Sequence, residues 1–116
     1  MIKEVRFDYI AQDGQNYFNH GYTESCARKY FESQGYKITK SKLIFNHILL
    51  GTGRPDFFAS KQNKSFWIEV KRKDEKLLSS QKKWLDEHSS ERVIIFRINF
   101  VVPKLTWERM QQCEGF

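Results

Sequence analysis

The sequence predicts a mixed α/β domain with one central sheet between helices, and three observations carry that prediction. Segments with the two-residue alternation of strands interleave along the chain with segments spaced like amphipathic helices. A length of 116 residues allows one hydrophobic core and not two. Hydrophobic residues at 40% and aromatics at 16% supply enough apolar surface to fill that core, so the chain is not of the disordered class.

In order, Val5, Phe7, Tyr9 and Ala11 alternate with polar residues, and Asp13-Gly14 follows as a turn before Tyr17-Phe18; this predicts an N-terminal β-hairpin. Thr23 is a candidate N-cap for a helix whose buried face carries Cys26, Ala27, Tyr30, Phe31 and Gln34, and Gly35 closes it. Tyr36 to Thr39 suits a short strand. The stretch from Lys40 to Arg54 mixes charge, Asn46, His47 and glycines, and reads as strand plus loop. Asp56 to Ala59 and Ser65 to Lys71 read as two strands joined by the polar turn from Ser60 to Lys64. A second helix begins near Ser79 or Ser80 and runs to about His88. Arg92 to Ile98 is a β-branched strand that extends toward Val102, where Pro103 breaks it. Thr106 is a possible cap for a short helix in the tail. No repeat or low-complexity linker divides the chain, so residues 1–116 read as a single domain: an extension over 1–21, a core over 22–98 and a tail over 99–116.

Charge and cysteine usage narrow the function. Twenty Lys and Arg against 14 Asp and Glu give +6, which favours a polyanionic partner. Cys26 and Cys113 lie far apart with no C-x-x-C spacing, which argues against a disulfide scaffold or a zinc site and for reduced thiols in a cytoplasmic protein. The longest apolar runs, such as Val93 to Phe96, are too short to span a bilayer, so a soluble protein without a membrane partner is expected.

Two strings carry the chemistry: Gly53-Arg54-Pro55-Asp56-Phe57-Phe58 and Phe66-Trp67-Ile68-Glu69-Val70-Lys71. Residues two apart on a strand share a face, so Glu69 and Lys71 emerge together while Phe66, Ile68 and Val70 face the other way. Asp56 opens the neighbouring strand and can approach Glu69 across the hairpin. Two carboxylates of this kind suit Mg²⁺, which takes few protein oxygens and keeps waters for substrate phosphate. The same residue types also occur as solvated strand-edge charges and turn residues. In the second helix Leu77, Leu78, Trp84, Leu85 and His88 define an apolar stripe, and Gln81 falls in its middle, aimed at the sheet where it can meet Lys71 or a phosphate. In the first helix Glu24 sits at the margin of the apolar stripe and Glu32 points to solvent. Arg54, Lys61, Lys64, Arg72, Lys73, Lys76, Lys82 and Lys83 crowd the same stretch as a candidate DNA-backbone cradle, which Arg28, Lys29, Lys37, Lys40 and Lys42 can extend. Phe45, Phe58, Trp67 and Trp84 can stack bases or fill the core.

Together these motifs resemble the PD-(D/E)XK nuclease superfamily, and within it the virus-type replication-repair nuclease (VRR-NUC) domain. The resemblance spans Tyr22 to Ile98: Glu24 in Glu24-Ser25-Cys26-Ala27-Arg28-Lys29-Tyr30-Phe31, then Gly53-Arg54-Pro55-Asp56-Phe57, then Ile68-Glu69-Val70-Lys71, then Gln81-Lys82-Lys83-Trp84-Leu85. It implies a restriction-endonuclease-like sheet in the order αβββαβ, with the N-terminal hairpin outside it, and cleavage of DNA with Mg²⁺ or Mn²⁺. By position, Asp56, Glu69 and the carbonyl of Val70 would be metal ligands. Glu24 would hold a water of the metal shell or a second ion, Lys71 would position the attacking water or stabilise developing charge, and Gln81 would steady Lys71 or the scissile strand. Archaeal Holliday junction resolvases share this plan. Both types imply branched DNA as substrate and a homodimer, because a junction is cut symmetrically by two sites. The alternatives are a non-catalytic nucleic-acid-binding module and a restriction-type or RecB-like nuclease.

Overall fold

A computed structural model describes residues 1–10, 20–41, 43–45, 48–50 and 53–101, with the backbone alone for residues 20, 43–45 and 48–50. The elements are β1 (Ile2–Ile10), α1 (His20–Ser33), β2 (Lys37–Lys40), β3 (Leu43–Phe45), β4 (Ile48–Leu50), β5 (Phe57–Lys61), β6 (Lys64–Arg72), α2 (Ser79–Glu87) and β7 (Val93–Val101). A five-stranded mixed sheet has the order β1-β7-β6-β5-β2, and β3 and β4 form a separate antiparallel pair. The mixed α/β class predicted from the sequence holds. The stretch expected to be strand plus loop carries β3 and β4.

The helices cover opposite faces of the sheet, because successive residues of a strand point to opposite sides. Phe66 packs on Phe31 of α1, with ring centroids 5.7 Å apart, whereas Trp67 packs on Trp84 of α2 at 5.4 Å. The α1 side holds the larger core, built from Cys26, Ala27, Phe31, Ile38, Phe57, Ala59, Ile68, Val70, Phe96 and Ile98. Phe96 is its centre, fully buried between Tyr30 at 5.1 Å and Phe31 at 5.0 Å. Trp84, Leu85 and Val93 make the smaller core on the α2 side.

Several boundaries depart from expectation. The first strand, β1, pairs parallel to β7 along its whole length, from Ile2 opposite Val93 to Ile10 opposite Val101, a pairing the sequence did not show. That position packs the alternating Val5, Phe7 and Tyr9, half-buried, against the α1 core. The expected turn at Asp13-Gly14, the segment Tyr17-Phe18, Lys42, Phe45's side chain, Asn46, His47, Thr106 and Cys113 lie outside the described residues or side chains. Helix α1 starts at His20, so Thr23 is not a cap but a fully buried residue within the helix. Gly35 does close the helix, with φ +91° and its N–H donating to Glu32 O at 3.0 Å. Gln34 is exposed rather than on the buried face, and Glu32 faces solvent, paired with Arg28 at 2.6 Å. The β5–β6 turn is only Gln62-Asn63, with Gln62 at φ 52°, so both strands run further into the expected turn. Neither Ser79 nor Ser80 caps α2. Leu78 occupies the N-cap without a side-chain cap bond, and at 62% exposure it leaves the apolar stripe.

Candidate active site

β5 begins its pairing at Phe57, opposite Ile68, while β6 continues to Arg72. Past Ile68, therefore, the edge of β6 has no β5 backbone beside it, and the Asp56 side chain takes that place: Val70 N–H donates to Asp56 Oδ2 at 2.8 Å. In an extended strand a residue's N–H and C=O point to the same edge, so the Val70 carbonyl faces the Asp56 side as well. The backbone of Asp56 is fixed in turn, its carbonyl accepting from Ser41 N–H at 3.1 Å, while the Ser41 hydroxyl donates to Pro55 O.

Glu69 and Lys71 project from β6 on the α2 side, as the alternation predicts. Their exposures are 3% each, with Asp56 at 2% and Gln81 at 6%. Gln81, the third residue of α2, donates from Nε2 to Glu69 Oε1 at 2.9 Å and accepts at Oε1 from Leu78 N–H at 2.8 Å. Only one orientation of the amide serves a carboxylate and an N–H donor together, so both bonds assign it. The side chain caps the helix that carries it and holds a carboxylate of the sheet. Its partner is thus Glu69 and not Lys71. Lys71 Nζ lies 4.0 Å from Glu69 Oε1 and 3.4 Å from Glu75 Oε2.

Sequence reasoning missed three contributors. Glu75 anchors the turn after β6: its Oε1 accepts from Arg72 N–H at 3.1 Å while Oε2 meets Lys71. Arg97 ties that turn to β7, donating to Arg72 O at 3.2 Å and Glu75 O at 2.6 Å. The four-residue spacing from Lys71 to Glu75 was a readable signal; nothing in sequence marked Arg97. Gly53 is the third. It sits at φ +85°, and a Cβ there would collide with the backbone carbonyl of Ser80. The loop that delivers Asp56 therefore lies directly on the first turn of the helix that delivers Gln81.

Glu24 is half-buried on α1, which packs on the other face of the sheet. Among the described residues no group of three or more His, Cys, Asp or Glu side chains is spaced to hold a metal ion. Lys61 and Lys64 border the far turn of the hairpin, with Lys64 five strand residues, about 17 Å, from Glu69. Lys61 donates to Gln34 O at 2.7 Å, so it secures the end of α1. Arg54 donates to Ser41 O at 3.3 Å and lies 6.0 Å from the Trp67 ring. Arg72 is half-buried, on the opposite face from Lys71 by alternation. Lys73, Lys76, Lys82 and Lys83 are exposed, as are Arg28, Lys29, Lys37 and Lys40. Trp84 is core, with His88 stacked on it at 4.0 Å; Phe58 and Trp67 are half-buried and line a 340 Å³ cleft at the other end of β6.

Two buried carboxylates, each oriented by an N–H donor, beside a buried ammonium form a hard-oxygen donor set. It fits Mg²⁺ or Mn²⁺, which accept one or two carboxylates and complete their shell with water and phosphate, and it lacks the thiolates and imidazoles of softer metals. Cys26, the described cysteine, is unpaired and buried in the α1 core, and burial pushes its thiol up in pKa. No helix among the described residues is long and apolar enough to cross a membrane. No protein-family model, curated protein or solved structure matches the chain.

Proposed function

We propose that this protein is a metal-dependent phosphodiesterase that cleaves DNA, with Asp56, Glu69 and Lys71 at its reacting centre, on the plan of the PD-(D/E)XK nucleases of VRR-NUC type. The observation that carries this reading is the burial of two carboxylates, a lysine and a glutamine in one hydrogen-bonded corner. Burying charge is expensive unless it is paired, and a small domain that retains so much of it points to a functional site. The order of elements within the five-stranded sheet supports it too: α1, the strands β2, β5 and β6, then α2 and β7 match αβββαβ, once the separate β3–β4 pair inserted between β2 and β5 and the added β1 beyond β7 are set aside.

In this reading Asp56 and Glu69 hold the ion, and the Val70 carbonyl faces the same edge as Asp56. When bound, Mg²⁺ supplies Lewis acidity toward a phosphoryl oxygen and lowers the pKa of water. Lys71 offers its ammonium to the charge that develops on the phosphate, in a water-excluded corner where such a charge acts more strongly than in water. Glu75 and Glu69 hold that ammonium in place, and Gln81 fixes the rotamer of Glu69, the kind of support whose loss costs roughly 10–100-fold in metal affinity or activity. Branched DNA, a flap or a Holliday junction, is the substrate class, cut by a homodimer.

The test is a panel of labelled four-way junctions, flaps, linear duplexes and single strands, incubated with Mg²⁺, Mn²⁺ or chelator. Cleavage of branched DNA should require the metal and fall by about 10³-fold or more in Asp56→Asn and Lys71→Ala. Asparagine keeps an acceptor for Val70 N–H, so that variant should stay folded by circular dichroism. Undiminished cleavage by Asp56→Asn sinks the assignment, and salt-sensitive binding with every substrate left intact would make the protein a non-catalytic nucleic-acid-binding module.

A further inference from the structure

Beyond Lys71, the face of the sheet that carries the site continues onto β7 and β1. Lys71 stands in register beside Arg97, and Arg97 beside Arg6. These strands are parallel and residues paired in this way share a face, so three cations form one row across the sheet, with neighbouring strands about 4.8 Å apart. Like charges placed side by side on a sheet oppose folding unless something compensates them. Lys71 is compensated by Glu69 and Glu75, and Arg97 by Glu4 and the carbonyls of Arg72 and Glu75. Arg6 is different. It approaches Glu4, already engaged by Arg97, at 4.0 Å, and its side chain is 68% exposed.

The next row toward the carboxyl ends of the strands pairs Asn99 with Asp8, Asn99 Nδ2 donating to Asp8 Oδ1 at 3.2 Å. Together with Arg6, Arg97 and the exposed Lys73 they line a cleft of 230 Å³. The cleft holds three cations against one carboxylate, and that carboxylate is turned toward Asn99. It lies beside the carboxyl end of β6 and over the middle and later residues of β7 and β1.

We propose that this cleft is a phosphate-binding groove that guides a nucleic-acid strand toward the reacting corner, with Arg6 and Lys73 each neutralising one backbone phosphate. The identity of the strand as nucleic acid rests on the function proposed above; the groove itself rests on the row of cations and the exposure of Arg6 and Lys73. Arginine matches phosphate oxygens through its planar fork, and a cation so exposed makes its contribution through displaced counterions. Lys71 stands two positions along the row from Arg6, so a backbone lying along that row reaches the site.

The experiment measures binding of a fluorescent flap duplex from 50 to 200 mM salt, in the Asp56→Asn background with chelator so that the probe stays intact. Arg6→Gln and Lys73→Gln should each reduce the slope of log K against log salt by about 0.9, and the double variant by about 1.8. Lys3→Gln is the control: Lys3 is exposed on β1 opposite Ile94, which packs on the α1 side, so it removes one charge from the other face. Its slope should match that of the parent. Unchanged slopes in Arg6→Gln and Lys73→Gln, or an equal loss in Lys3→Gln, overturn the groove. The outcomes separate the two proposals: reduced slopes in a protein that cleaves nothing keep the groove and remove the nuclease, and Asp56-dependent cleavage with unchanged slopes does the reverse.

Discussion

The two faces of β6 have opposite chemistry although they belong to the same nine residues. Toward α1, Ile68 and Val70 are fully buried in a core of aromatic and aliphatic side chains. Toward α2, Glu69 and Lys71 are almost as deeply buried, but among carboxylates, an amide and backbone donors. The first face obtains its stability from removing apolar area from water. The second repays little of its desolvation, because ion pairs taken out of water gain about what they lose. One face holds the fold together and the other uses the rigidity so gained to hold charges at fixed positions.

Substitutions that act on one face alone are the way to break that comparison. Phe96→Ala should be the most damaging to stability, about 3–5 kcal/mol by chemical denaturation, because it opens a cavity between Tyr30 and Phe31. Cleavage per folded molecule, measured where the variant is still native, should stay near that of the parent. Gly53→Ala strikes the junction of the faces: a left-handed φ costs an L-residue about 1–2 kcal/mol, and the clash with Ser80 O adds a further 1–3 or so. Here stability and activity should fall together, since Asp56 and the start of α2 are both displaced.

Gln81→Ala sharpens the contrast from the other side. It removes a cap and a partner of Glu69 at an expected stability loss of only about 1–3 kcal/mol, while cleavage should drop by roughly 10–100-fold. A large stability loss with intact activity would show that Gln81 serves the fold alone. The smallest effect belongs to the α1 side. Burial raises the pKa of Cys26, and burial together with a hydrogen bond to Tyr9 raises that of Tyr22. A raised acid keeps its proton longer when folded, so its contribution is complete below the unfolded pKa and is lost as pH climbs from about 8.5 for the thiol and about 10 for the phenol. Thermal midpoints at pH 7.5 and 10 should therefore fall less in Cys26→Ala than in the parent.

Much of the site was legible because it is written in local periodicity. Alternation put Glu69 and Lys71 on one face, and Gln81 stood out as the polar residue within an apolar helical stripe. The same reading failed where the partner was distant or the backbone unusual. Thr23 had the chemistry of a cap, yet the helix runs past it to bury it. The alternation of Val5, Phe7 and Tyr9 identified a strand, but it carried no information on whether that strand pairs with its sequence neighbour or with β7, more than eighty residues on. Lys61 and Lys64 were grouped with the site by proximity in sequence, and the length of the hairpin separates them from it.

By itself the sequence determined the class of the fold, most element types and the facing of strand side chains such as Glu69 and Lys71, because these follow from spacings of two and of three to four residues. Tertiary structure alone decided who meets whom: that Asp56 replaces a missing ladder partner of Val70, that Gln81 serves Glu69 rather than Lys71, and that Arg6 and Arg97 extend the row begun by Lys71. Such pairings depend on strand order and register, which are set by the packing of the whole sheet and not by any short stretch of it.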